Sequence, residues 1–92
     1  MADDETYLLL YTYVDDMAER RGPHREAHLA AIRAERDAGR ITLGGALGTP
    51  PTGAAIVWTG VTPAEIESFT ATDPYVVNGL VTSQRIERWN LV

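Results

Sequence analysis

Two short stretches, Tyr7–Val14 and Ala54–Thr59, are apolar on both parities of a strand, and nothing else in the chain restricts the fold as much. Successive side chains of a strand point to opposite faces. In the first stretch Tyr7, Leu9, Tyr11 and Tyr13 fall on one face and Leu8, Leu10, Thr12 and Val14 on the other, so neither face reads as water-facing. A sheet built from such strands needs cover on both sides; helices supply one layer and a second subunit the other. The 92 residues suffice for one compact domain, expected to span 1–92. A chain of that length buries only roughly 60–65% of its unfolded surface, so association over a further apolar face helps it. A homodimer is expected on these grounds.

The remaining elements follow in chain order. The charged run from Asp15 to Gly22 reads as a loop, and Gly22-Pro23 suits proline at a first helical turn. The first helix is predicted from about Pro23 to Ala38. Gly39 supplies its left-handed stop, and Arg36 complements the helix dipole. Leu29, Ile32 and Arg36 lie along one stripe of this helix, with His28 half-buried at the stripe's edge. Ile41–Leu47 reads as a strand in which Gly44 and Gly45 mark a bulge or a close approach. The Gly48–Gly53 segment is a loop, and its shortness predicts an antiparallel hairpin with Ala54–Thr59.

Thr62-Pro63-Ala64-Glu65 has the spacing of a capping box and opens a second helix that carries Ile66 and Phe69 and ends by Ala71 or Thr72. Asp73-Pro74 looks like another cap and first turn, opening a short helix closed at Asn78-Gly79. The last strand runs from about Val81 to Trp89, with poor alternation near Glu87-Arg88. The order strand, helix, strand, strand, helix, strand is the split βαβ arrangement of ferredoxin-like domains, an α+β fold whose antiparallel sheet carries helices on one face. Apolar residues on the other face add a partner sheet, as in dimeric α+β barrels.

Composition narrows the function classes. The formal charge of −5 and a pI of about 4.8 oppose nucleic acid as a partner, since phosphate binding needs a basic footprint. Without cysteine there is no disulfide, thiolate nucleophile or thiolate metal site. Asp3, Asp4 and Glu5 carry the wrong charge for a signal peptide, and no apolar run approaches a membrane span. A soluble cytoplasmic protein with no membrane partner is expected.

His24 and His28 stand four apart, but Glu26 is one place too late for the zincin pattern H-E-x-x-H. A metal there also needs a third ligand, with Glu35 the nearest candidate. No metal is expected. Gly44-Gly45-Ala46-Leu47-Gly48 lacks the spacing of a dinucleotide fingerprint and the helix after it, so no cofactor is implied. Arg25 offers a forked guanidinium to an anionic substrate, against the alternative of pairing with Glu26 or Glu35. Tyr7, Tyr11, Tyr13, Trp58 and Tyr75 could line a pocket for an aromatic ring, against the alternative of sheet or interface packing for the strand aromatics; Tyr75, next to Asp73, is the best placed of them to line a site.

Arg25-x-x-His28-Leu29, Gly39-Arg40, the Gly44-Gly45 strand end, and Asp73-Pro74-Tyr75 followed by Gly79-Leu80 occur in a characteristic order and spacing. In these the chain resembles the YCII-related family over nearly its full length. The resemblance implies a ferredoxin-like fold, a dimer, and an active-site pair that falls on His28 and Asp73. Members commonly carry a proline after the strand-end glycine, where this chain has Ala46, so the pocket wall differs there.

Such a pair suits proton transfer, because the ordinary pKa of histidine lies closest to neutral and a carboxylate fixes its tautomer. The function expected is a cofactor-independent enzyme of lyase or isomerase type, acting on a small organic acid or ring compound. His28 and Asp73 are its catalytic candidates, and Arg25, Gly45 and Tyr75 its substrate-binding candidates. The alternative is a non-catalytic ligand-binding or interaction domain, in which His28 is an edge residue and Asp73 only a helix cap.

Overall fold

A computed structural model describes residues 5–92, so the acidic Asp3-Asp4 opening lies outside the described residues. The elements are β1 (Thr6–Tyr13), α1 (Met17–Arg20), α2 (Gly22–Asp37), β2 (Ile41–Leu47), β3 (Gly53–Thr59), α3 (Pro63–Thr72), α4 (Pro74–Val77) and β4 (Val81–Trp89). The sheet order is β2-β3-β1-β4 with every neighbour antiparallel, the ferredoxin-like topology predicted. Leu9, Tyr11, Ile56 and Trp58 occupy the sheet face towards the helices and join Met17, Ile66, Tyr75 and Leu80 in the core. Each large side chain so buried contributes about 1.5–3 kcal/mol.

Among the described residues the other face of the sheet carries no second layer. Pairing places Leu8 beside Val57, Leu10 beside Ala55 and Leu43 beside Val57 on that face. Leu43 is 69% exposed and Leu47 46%. At the β4 edge the same face carries Glu87 and Arg85, opposite Leu8 and Leu10, and these pair with each other at 3.3 Å. The weak alternation of β4 in sequence therefore marks the polar rim of an otherwise apolar face.

Three details depart from the sequence reading. The run Asp15–Gly22, expected as loop, contains the single turn α1, whose Met17 is fully buried. Its acidic and basic neighbours, among them the Asp16–Arg20 pair at 3.5 Å, mask one apolar anchor. The bulge in β2 falls between Ile41 and Leu43, while Gly44 and Gly45 pair in register with Ile56 and Ala55. Finally, β3 begins at Gly53, where a Cβ would collide with the carbonyl oxygen of Tyr11 on β1. Only glycine lets the two central strands approach that closely. Helix α3 keeps its predicted start, with the Glu65 amide donating to the Thr62 hydroxyl at 3.2 Å and the Thr62 amide to the Glu65 carboxylate at 2.9 Å.

Candidate active site

Asp73 stands at the joint between two helices, ending α3 and capping α4. Its backbone is extended there, as the residue before a proline favours, which turns the carboxylate inward beneath the sheet. One oxygen, Oδ1, accepts the Tyr75 amide at 3.0 Å, the capping bond read from Asp73-Pro74. The same oxygen lies 2.8 Å from His28 Nδ1, and Oδ2 accepts the Tyr11 hydroxyl at 2.8 Å. Asp73 is 1% exposed, so a carboxylate is held in the core by three converging donors. An ionised carboxylate only accepts, which puts the proton of a neutral His28 on Nδ1 and leaves the Nε2 lone pair available.

His28 comes from the middle of α2, which lies against α4. Its ring stacks on Tyr75 with centroids 3.8 Å apart and an 8° tilt, and Tyr13 meets Tyr75 edge-on at 5.9 Å. The histidine at the edge of a buried stripe is in fact the buried residue of α2, whereas Leu29 and Ile32 are only half-buried. The reason is a cavity of about 220 Å³ between α2 and the β2–β3 side of the sheet. Arg21, Arg25, His28, Leu29 and Ile32 present one helical stripe to it, and Gly44, Gly45 and Ala46 form part of the opposite wall. Among the described residues His28 Nε2 has no protein partner, and His28 lines this cavity.

The phenols around Asp73 resist ionisation. Burial pushes Tyr11 well above the ordinary tyrosine range, reinforced by the charge of Asp73 and the hydrogen bond to it. Burial likewise raises Tyr13, with Tyr75 and Asp73 adding to it and Arg21 opposing. Tyr75 is raised by burial against the pull of Arg21 and Arg25. All three therefore remain hydrogen-bond donors at neutral pH.

Of the residues singled out in sequence, His28, Arg25, Gly45 and Tyr75 line one cavity, and Asp73 lies directly behind His28. Arg25 makes no ion pair among the described residues; Glu26 engages Arg33 at 3.8 Å and Glu35 engages Arg40 at 2.7 Å. No group of three His, Asp or Glu side chains placed to hold a metal occurs among the described residues. Sequence reasoning missed Arg21 and Tyr11. Arg21 precedes Arg25 by four, so helical spacing carried the signal, but the residue was read as loop. Tyr11 left no local trace, because its partner Asp73 is 62 residues away.

A small ferredoxin-like α+β domain with a buried His–Asp pair at a cavity is the class that fold and site define. The profile of the YCII-related domain matches residues 6–90, and the chain belongs to that family. No curated protein matches the sequence. Among solved structures the chain is similar to 5-chloro-2-hydroxyhydroquinone dehydrochlorinase from Burkholderia phenoliruptrix, in complex with 2,5-dihydroxybenzoquinone. The identity is 22% and the TM-score 0.79, over 92% of this chain and 93% of that one. At that identity the likeness carries the fold.

Proposed function

We propose that this protein is a cytoplasmic, single-domain, homodimeric enzyme that moves protons without a cofactor, with His28 as general base and acid and Asp73 as the group that orients it. The observation that carries this reading is the division of labour on one imidazole: Nδ1 is committed to a buried carboxylate, and Nε2 is left without a partner on a ring that lines a cavity. In the reaction Nε2 takes a proton from a carbon beside a carbonyl, and Asp73 stabilises the imidazolium while the substrate holds the electron pair as an enolate. Return of the proton to another atom is an isomerisation. Loss of a leaving group from the adjacent carbon is an elimination, and the solved relative is named for a reaction of that kind on a ring compound.

Tyr11 supports the carboxylate from the side opposite His28 and is included in the proposal as a positioning residue. The homodimer rests on the apolar face of β1, β2 and β3, where Leu43 and Leu47 stand exposed and a second copy supplies the absent layer. No helix among the described residues is long and apolar enough to cross a membrane.

The test is proton exchange in D₂O, followed by NMR over a panel of enolisable small acids and hydroxyquinones that includes 2,5-dihydroxybenzoquinone. The wild type should wash deuterium into at least one compound faster than buffer, and His28→Gln should not. Binding without exchange, or equal exchange by the variant, returns the site to the alternative of a ligand-binding domain.

A further inference from the structure

The cavity is chemically lopsided, and that asymmetry bears on what enters it. At one end Arg21 and Arg25 line it from successive turns at the start of α2, and neither has an acidic partner among the described residues. Tyr13 and Tyr75 line the same end, and their hydroxyls make no hydrogen bond to protein among the described residues. Burial keeps both phenols protonated, so each has an O–H to donate and neither carries negative charge. The first turn of α2 contains no acidic residue and its N-cap has no side-chain acceptor, so the positive end of the helix dipole is left uncompensated there. Asp73, the carboxylate behind His28, is not part of the lining and is already occupied by three donors. Leu29, Ile32, Ala54 and Ile56 make the rest of the side-chain lining apolar.

Every polar side chain in the lining except His28, whose Nε2 offers a lone pair, therefore has a proton to donate, and none is an anion. Such a lining suits a ligand that brings negative charge and acceptors, in a protein whose own net charge is −5. At about 220 Å³ the space lies below the roughly 300–1,000 Å³ of sites for drug-sized ligands, enough for one ring or a short chain. We propose that Arg21 and Arg25 clamp the oxyanion of a small organic acid whose ring or chain lies against Leu29, Ile32 and Ile56, and that this pair, not the histidine, selects the substrate class.

The proposal rests on the reading of this cavity as the substrate site, but it stands or falls separately from catalysis. Guanidiniums bind carboxylates and enolates through paired charge-assisted hydrogen bonds, which a neutral amide of the same shape does not accept with comparable strength. The probes are benzoate and benzamide, titrated into the full chain by calorimetry and by ¹⁵N-detected NMR of the arginine side chains. Benzoate should bind about tenfold or more tighter than benzamide, a difference of one strong charge-assisted contact. Arg21→Gln and Arg25→Gln should each weaken benzoate several-fold and leave benzamide unchanged, with Arg25→Lys intermediate because it keeps the charge and loses the fork.

Both arginines reach solvent, so these variants should fold, and circular dichroism checks that they do. Equal affinity for the two probes, no saturable benzoate binding, or unchanged benzoate affinity in the double Arg21→Gln/Arg25→Gln variant overturns the clamp. Arginine-dependent benzoate binding without proton exchange on any acid retains the clamp and discards the acid–base reading. Proton exchange on acids that proceeds equally in the wild type and in the double variant does the reverse.

Discussion

Thr62 and Asp73 both cap helices, and they illustrate two ways a polar side chain is put to use. The Thr62 cap is self-contained: hydroxyl, carboxylate and both amides belong to residues three apart at the surface. The Asp73 cap begins as locally, with the Tyr75 amide two residues on, and then spends its remaining acceptor capacity on residues 45 and 62 positions away. One cap holds a helix in place. The other ties α2, α4 and β1 to a single buried charge, so that forming the helix start and assembling the site become one event.

The sharpest way to break that contrast is to remove the buried carboxylate. Asp73→Ala should strip His28, Tyr11 and the Tyr75 amide of their common acceptor, and each buried donor left unpaired costs about 1–3 kcal/mol. A denaturant midpoint that moves no further than the one for Thr62→Ala would erase the distinction between the two caps.

Alkaline pH probes the same cluster without mutation. Tyr11 and Tyr13 have folded-state values raised above the ordinary one, so their contribution to stability is intact below about pH 10 and is lost as pH rises beyond it. Each phenol adds up to about 1.4 kcal/mol of lost stability per pH unit in that range. Absorbance at the phenolate band should therefore rise cooperatively with unfolding; early, independent titration of all the tyrosines contradicts it.

Tyr11→Phe is the finer cut. It deletes one hydrogen bond to a charged group and should lower stability by about 1.5–3 kcal/mol. If Tyr11 positions the carboxylate, the pH profile of proton exchange should also shift, which a merely structural tyrosine would leave alone. Thr62→Ala, the smallest effect, should cost about 1 kcal/mol and leave ligand binding and exchange untouched. A change in exchange rate in that variant would mean that α3 communicates with the site after all.

The same contrast explains what could be seen before the fold. Much of what is written in residues three or four apart was legible: the capping box at Thr62, the Asp73-Pro74 start, the glycine stop at Gly39, and the stripe of α2; Arg21, four before Arg25, was not, because the charged run around it reads as loop. The doubly apolar parity of β1 and β3 predicted the sheet and its open face, because strand alternation is local too. What escaped were relations set by tertiary distance. Tyr11 was one more aromatic in an apolar strand until the fold placed its hydroxyl on Asp73. His28 read as an edge residue because a cavity, not a neighbouring side chain, occupies the space beside Leu29 and Ile32. The pairing of His28 with Asp73 was reached through family resemblance alone, since no periodicity spans 45 residues.

Gly53 has one more consequence. Because its missing side chain sets how near β3 comes to the Tyr11 carbonyl, the height of the Tyr11 hydroxyl beneath Asp73 depends on an atom that is not there. In a map of mutational tolerance this outlying hairpin glycine should score with His28 and Asp73, although it touches neither. Descendants of this sequence are free to vary the exposed Thr52 beside it, yet are bound to inherit the gap between Gly53 and β1 unchanged.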